Sequence, residues 1–183
     1  MLSPTMTSHD VDQLVAEAQE HEFKGICLPP FWVKKAAREL KVSDISLVAV
    51  IGFPFGYQMT DTKVNEAEVA LRDGATELDI EMNISAFHSG MPWVKVELAK
   101  VAKLAHEQSA LLKVIIETAY LDDEQVIDAA RLCQDAGADF VKTSTGYAPE
   151  GANIRHIRLL REQLSDAVGL KASGGIKTYE QGK

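Results

Sequence analysis

Short runs of apolar and β-branched residues recur along the chain and predict strands. They cover residues 24–28, 46–53, 77–83, 111–118, 139–145 and 169–173. Several, including Leu47-Val48-Ala49-Val50-Ile51, are continuously apolar and do not alternate with polar residues. Continuous apolar runs are typical of strands that are buried on both faces of a parallel sheet.

Between these runs, apolar residues spaced three and four apart predict helices at residues 10–21, 60–73, 91–108, 122–135 and 153–164. Thr7 or Ser8 is suited to cap the first helix, and Gly74 is suited to end the second. Six strand–helix units in series imply a parallel α/β sheet, either wound as a barrel or doubly wound. No linker or low-complexity segment interrupts them, so one domain over residues 1–183 is expected.

Two lysines near strand ends are the most informative candidates for chemistry. Lys142 is followed by Thr-Ser-Thr-Gly, and Lys171 by Ala-Ser-Gly-Gly, which are small and turn-forming residues suited to the mouth of a site. Burial and mutual repulsion both lower a lysine pKa, and a Schiff-base enzyme needs the neutral amine. The alternative is a pair of edge-strand lysines that point into solvent. The small residues that follow both lysines favour a functional site over this alternative.

Polar residues lie on or just beyond the ends of several different predicted strands. They are Asp79, Lys113, Glu117, Lys142 and Lys171. A barrel collects side chains from many strands at one face, whereas a doubly wound sheet usually has one crevice. The pattern Gly-x-Gly-x-x-Gly is absent, which disfavours a dinucleotide site. The sequence therefore predicts a barrel.

Composition and charge disfavour several classes of function. A net charge of −8 and a pI near 5.1, without a cluster of basic residues, argue against nucleic-acid binding. Cys27 and Cys133 fit no metal or redox spacing, which favours a reducing cytoplasm. No apolar run is long enough to suggest a membrane span. We expect neither a metal nor another cofactor, and a small molecule as the binding partner.

Five segments, residues 51–56, 77–84, 111–118, 140–146 and 169–176, together resemble 2-deoxyribose-5-phosphate aldolase. That family consists of class I aldolases on a (β/α)₈ barrel. The resemblance implies reversible cleavage of 2-deoxy-D-ribose 5-phosphate to acetaldehyde and D-glyceraldehyde 3-phosphate. An iminium is an electron sink that supports such a cleavage without a metal.

The resemblance also implies roles for individual residues. Lys142 matches the Schiff-base lysine, and Lys171 the second lysine, which keeps the first neutral and joins a proton relay. Asp79 matches the carboxylate that transfers protons with a bound water; alternatively, it only accepts backbone N–H bonds. Lys113 matches a position near the relay, or it simply pairs with Glu117 or Asp79.

Substrate contacts follow from the same resemblance. Cys27, Thr143 and Ser173 are expected near the substrate, although Cys27 also suits a buried packing position. Gly174 and Gly175 are expected to bind phosphate through backbone N–H groups and the start of a helix at residues 178–181. Some members of the family carry a phosphate-assisting lysine where this chain has Tyr147.

The sequence differs from the family pattern at its two ends. Residues 1–5 resemble the segment after the family's first strand, and residues 181–183 lie in the helix after its seventh. We therefore expect an incomplete barrel of about six strands, without the first and eighth, and with a gap between the strands at 24–28 and 169–173. Unpaired apolar edges favour association, so a homo-oligomer is expected.

The short chain is compatible with three explanations. They are a truncated form, a complete but degenerate paralogue, and an oligomer whose partner covers the gap. An inactive paralogue that serves as an assembly module is the alternative to an aldolase.

Overall fold

One parallel sheet of six strands organises the chain. The computed structural model describes residues 2–40, 43–178 and 180–182. The strands are β1 (Gly25–Leu28), β2 (Ser46–Ile51), β3 (Glu77–Glu81), β4 (Leu111–Ile115), β5 (Phe140–Lys142) and β6 (Gly169–Lys171). Each pairs in parallel with the next, so β1 and β6 are the edges. The sheet curls into a half-barrel, which confirms the incomplete barrel predicted from the sequence.

Seven α-helices and two 3₁₀ turns accompany the strands in the part of the chain that the structure describes. The helices are α1 (Ser8–Glu20), α2 (Pro30–Glu39), α3 (Thr60–Arg72), α4 (Ile84–His88), α5 (Trp93–Glu107), α6 (Asp123–Asp135) and α7 (Ile154–Gln163). The 3₁₀ turns are Thr118–Tyr120 and Glu180–Gly182. The five predicted helices are confirmed, whereas α2 and α4 were not predicted. The expected helix at 178–181 includes Tyr179, which, like Met1 and Lys183, lies outside the described residues.

The first helix begins at a capping box, as its sequence suggests. The Thr7 hydroxyl accepts a hydrogen bond from the backbone N–H of Asp10, and the Asp10 carboxylate accepts one from the Thr7 N–H at 2.7 Å. These bonds satisfy two N–H groups that a helix start otherwise leaves unpaired. Val11, Val15 and Ala18 then face the core.

The two faces of the sheet differ in chemistry. Leu78 and Ile80 of β3, Leu112 and Val114 of β4, and Val141 of β5 belong to the hydrophobic core. Successive side chains of a strand point to opposite faces. The intervening residues of these strands therefore face the interior of the half-barrel, and Asp79, Glu81, Lys113 and Lys142 are the buried charged side chains among them.

Among the described residues, every helix is too short or too polar to cross a membrane.

Candidate active site

A single buried carboxylate joins three lysines in the interior of the half-barrel. Asp79 is fully buried, and its Oδ1 accepts a hydrogen bond from Lys113 Nζ at 2.9 Å. Its Oδ2 accepts from Lys142 Nζ at 2.7 Å and from Lys171 Nζ at 3.2 Å. The four residues come from β3, β4, β5 and β6. The predicted convergence of these side chains is confirmed.

Strand register explains why they meet. Asp79 lies opposite Lys113 in the β3–β4 pair, and Lys142 lies opposite Lys171 in the β5–β6 pair. Opposed residues of neighbouring strands point to the same face, so both pairs face the interior. The ammonium groups of Lys142 and Lys171 both donate hydrogen bonds to the same oxygen, Asp79 Oδ2. The carboxylate thus offsets part of the repulsion expected from the sequence.

The charges around Asp79 dominate its ionisation. Burial alone would raise the pKa of Asp79, but the ammonium groups of Lys142, Lys113 and Lys171 outweigh burial and lower it to about 2. Near neutral pH, Asp79 is therefore an anion that accepts hydrogen bonds and has no proton to donate.

Lys113 is held by a second carboxylate as well. Its ammonium group pairs with Glu77 in addition to Asp79. Burial lowers the pKa of Lys113, but the charges and hydrogen bonds of these two carboxylates outweigh it and raise the pKa. Of the two pairings considered from the sequence, the one with Asp79 is confirmed. Glu117 instead accepts hydrogen bonds from the backbone N–H of Thr145 at 3.0 Å and from its hydroxyl at 2.5 Å.

Hydrogen bonds join the loops that follow β5 and β6. The Thr143 hydroxyl donates to the Ser173 carbonyl at 3.2 Å and accepts from the Ser173 N–H at 3.1 Å. The Ser173 hydroxyl donates to the Ser144 carbonyl at 2.6 Å. These bonds hold the segments immediately after Lys142 and Lys171 side by side.

The Gly-Gly pair adopts a conformation that favours glycine. Gly174 and Gly175 have φ values of +79° and +77°, and such angles are costly for residues with a Cβ. The Gly174 carbonyl accepts from the Ala152 N–H at 3.1 Å, and a Cβ on Gly151 would lie 2.2 Å from that oxygen. The glycine loop after β6 therefore packs directly on the loop after β5.

The half-buried thiol of Cys27 on β1 is close enough to be influenced by the lysine–carboxylate cluster. Burial and the negative charge of Asp79 raise its pKa, while Lys142 and Lys171 oppose the change. Cys133 is completely buried on α6, which fits a packing role.

Comparisons with known proteins agree with this geometry. The model of the DeoC/LacD family aldolases matches residues 1–181. The chain belongs to this aldolase family. A deoxyribose-phosphate aldolase of Thermococcus gammatolerans is 46% identical over 183 residues, which cover 98% of this chain and 81% of that protein. One of Mycoplasmopsis pulmonis is 44% identical over 98% of this chain and 81% of the relative.

Two solved structures share the fold closely. A structure titled "QR15, an Aldolase" superposes with a TM-score of 0.94 at 39% identity, covering 99% of this chain and 80% of that chain. The tetrameric deoxyribose phosphate aldolase of Aeropyrum pernix gives a TM-score of 0.91 at 34% identity, covering 99% and 76% of the two chains. Both support assignment of the half-barrel to the barrel architecture of aldolases.

A second group of buried charges in this family member was not predicted from the sequence. Lys63 of α3 is fully buried, and its ammonium group donates to a Glu97 carboxylate oxygen at 2.6 Å and to the Glu81 carbonyl at 2.8 Å. Burial outweighs the attraction of Glu97 and lowers the pKa of Lys63. The spacing of Lys63 with the buried residues Ala67 and Ala70 was the signal available in the sequence.

The mouth of the half-barrel is bordered by aromatic rings. Phe53, in the loop after β2, and Tyr147, in the loop after β5, form an edge-to-face contact with ring centroids 5.5 Å apart. The Tyr147 hydroxyl also donates a hydrogen bond to the Leu2 carbonyl. The loop at residues 52–56, which follows β2, thus borders the mouth.

No cluster of three or more histidine, cysteine, aspartate or glutamate side chains suited to a metal ion occurs in the described ranges.

Proposed function

We propose that the chain is a Schiff-base aldolase that reversibly cleaves 2-deoxy-D-ribose 5-phosphate to acetaldehyde and D-glyceraldehyde 3-phosphate. The observation that carries the proposal is the buried Asp79 carboxylate bound by three lysines at the interior of an aldolase-family half-barrel. Relatives named deoxyribose-phosphate aldolase match almost the whole chain. They support the choice of substrate.

Lys142 is the proposed nucleophile. It lies at the end of β5 with only 5% of its surface exposed, among the small residues Thr143 and Ser144. In its neutral form, its amine attacks the aldehyde carbon of the open-chain sugar, and loss of water gives an iminium. The iminium accepts the electron pair released when the bond between C2 and C3 breaks. The resulting enamine is then protonated and hydrolysed to acetaldehyde.

The other charged residues of the cluster are proposed to assist the reaction at Lys142. Asp79, as an anion, accepts protons directly or through a water as the intermediates form. Lys171, whose side chain is 34% exposed, is the cation on the open side of the cluster and the proposed second member of the relay. Lys113 is tied to Asp79 and Glu77, so we propose that it mainly fixes the orientation of Asp79.

The remaining proposed substrate contacts lie in the loops after β5 and β6 and on β1. We propose that Gly174 and Gly175 present backbone N–H groups to the substrate phosphate, because their left-handed conformation at the end of β6 suits an anion. Thr143, Ser173 and Cys27 line the substrate path near Lys142.

We also propose that the chain assembles as a homo-oligomer and works in the cytoplasm. The tetrameric relative of known structure supports the assembly. Cys27 and Cys133 fit no metal or redox spacing in the sequence, which supports a reducing compartment.

Borohydride reduction in the presence of acetaldehyde tests the proposal. We expect a reduced two-carbon adduct on Lys142 in the unmodified protein. Lys142→Arg should abolish both the adduct and turnover of 2-deoxy-D-ribose 5-phosphate, because a guanidinium stays protonated. The exposed Lys103→Arg is the matched control and should retain both. Substantial turnover by Lys142→Arg would contradict the proposal, and a protein without any adduct would favour the assembly-module alternative.

A further inference from the structure

Two carboxyl groups near Lys142 have no part in the mechanism above. Glu81 ends β3, and Glu117 follows β4; their exposed fractions are 2% and 1%. Among the described residues, no hydrogen-bond partner reaches Glu81 Oε2 or Glu117 Oε1, although both atoms are buried. A buried polar atom without a partner has lost its hydrogen bonds to water and gained none in exchange, which is unfavourable. A polar ligand atom next to either of these two oxygens would therefore gain a hydrogen bond.

Glu81 and Glu117 lie on segments that neighbour the proposed nucleophile, Lys142. Glu81 is two residues beyond Asp79 on the same strand, so its side chain faces the same interior. The other oxygen of Glu117 is held by Thr145, three residues after Lys142. Because β4 and β6 lie on opposite sides of β5, the two carboxyl groups and the Gly174–Gly175 loop flank Lys142 from different sides.

The surroundings of Glu81 keep it protonated. Burial, and then the negative charge of Glu117 at the end of β4, raise the pKa of Glu81 to about 8. Lys63 of α3 and Lys142 of β5 oppose the increase. The charge of Lys63 is already matched by Glu97 of α5 at 2.6 Å. Glu81 therefore retains its proton near neutral pH, whereas Asp79 does not.

The backbone around the two groups is constrained. Glu117 has a φ of +45°, a left-handed conformation that is unfavourable for a non-glycine residue. A Cβ on Gly56 would lie 2.3 Å from the Met82 carbonyl and 3.1 Å from Glu81 Cγ, so the loop after β2 packs directly over Glu81. The close packing limits access of bulk water to the carboxyl group.

We propose that Glu81 is the acid–base group for the loss and return of water at Lys142, and that Glu117 is a positioning residue that acts through Glu81. The proposal rests on the Schiff-base function, because it assigns the proton donor of that reaction. Asp79 is a poor donor as an anion, and Lys142 must itself be neutral to attack. A carboxylic acid whose pKa is near the working pH is well matched to the task.

The proton balance closes within one turnover. In the forward step, Glu81 gives its proton to the carbinolamine hydroxyl, the carbon–oxygen bond breaks, and water leaves. The nitrogen lone pair forms the carbon–nitrogen double bond of the iminium. When the product iminium is hydrolysed, water adds to the same carbon and its proton returns to Glu81. No other reactant is consumed.

Rapid mixing with acetaldehyde, followed by a borohydride quench, measures the rate of imine formation without involving the phosphate site. Glu81→Gln should slow adduct formation by about 10²-fold at pH 6, a typical effect of losing a general acid. Because Lys142 must be neutral in both proteins, the ratio of the unmodified rate to the Glu81→Gln rate isolates the acid. Between pH 6 and 9, we expect an alkaline decline of this ratio above about pH 8, where Glu81 ionises. Formate should partly restore the rate in Glu81→Ala.

Glu117→Gln provides a second readout that does not depend on removing the acid. Without the charge of Glu117, the pKa of Glu81 falls, so the alkaline decline should move to lower pH. Glu124→Gln, which removes an exposed carboxylate of α6, is the matched control and should change neither rate nor profile.

The outcomes separate this proposal from the function on which it rests. If adduct formation disappears in Lys142→Arg but is unchanged in Glu81→Gln at every pH, the Schiff-base function stands and the role of Glu81 is refuted. An unshifted profile in Glu117→Gln would refute the positioning role. Adduct formation that survives in Lys142→Arg would refute the function itself.

Discussion

At the scale of single residues, the buried acids of the site should make stability depend on pH in opposite directions. Glu81 has a pKa of about 8 in the folded chain and an ordinary value of 4.5. Between these two values the folded state binds more protons than the unfolded state, so the contribution of Glu81 to stability falls as pH rises. The gap corresponds to at most about 5 kcal/mol, because one pKa unit is about 1.4 kcal/mol.

Replacing Glu81 by Gln tests this dependence. The thermal midpoint of Glu81→Gln, relative to the unmodified protein, should increase steadily between pH 5 and pH 8.5, because Gln does not ionise. Glu124→Gln provides the baseline for removal of an exposed carboxylate. If the difference in thermal midpoint between the two proteins stays constant from pH 5 to pH 8.5, Glu81 titrates near its ordinary value.

Asp79 should act in the opposite sense. Its pKa of about 2 lies below the ordinary 3.8, so its contribution is present above pH 4 and is lost as pH falls towards 2. Asp79→Asn leaves three lysines without their shared anion and should cost about 3–5 kcal/mol at pH 7. Urea unfolding at a series of pH values should show this cost shrinking below pH 4. A cost that is the same at pH 2.5 and pH 7 would contradict this ionisation.

At the scale of secondary-structure elements, one buried ion pair joins α3 to α5. Lys63 and Glu97 are 2.6 Å apart, with side-chain exposures of 0% and 4%. Lys63→Met should destabilise the fold by about 3–5 kcal/mol in denaturant unfolding, because it leaves a buried carboxylate unpaired. The double variant Lys63→Met/Glu97→Leu should recover part of that loss. The exposed pair Lys103–Glu107 is the control, and Lys103→Met should cost less than about 1 kcal/mol.

Individual elements show what the sequence could predict and what it could not. The strands were predictable because they are continuous apolar runs, and Lys142 and Lys171 stood out as charges at their ends. Helix α2 was missed, although Pro30 at its first turn and the buried Val33 and Ala36 were readable signals. Glu81 was included in a predicted strand, but the sequence did not show that one of its carboxyl oxygens is buried without a hydrogen-bond partner, or that Gly56, distant in sequence, packs against its side chain. Such contacts between distant segments are set by the fold and not by local pattern.

At the scale of the whole molecule, the strands differ in how well they are protected. Strands β2, β3 and β4 pair on both sides and are mostly buried, whereas all three residues of β6 are only partly buried and one side of β6 has no strand in the described sheet. Regions with fewer buried contacts open more easily. Amide hydrogen exchange should therefore be slowest in β3 and much faster in β6.

Amide hydrogen exchange also tests whether another copy of the chain covers the edge strand β6, as expected for the homo-oligomer predicted from the sequence. If a second copy of the chain packs against β6, its exchange should slow as protein concentration increases, because association buries the edge amides. Exchange in β3 should stay the same over that range and serves as the internal control. Concentration-independent protection of β6 equal to that of β3 would contradict an open edge, since unpaired N–H groups at a sheet edge exchange with solvent unless something covers them.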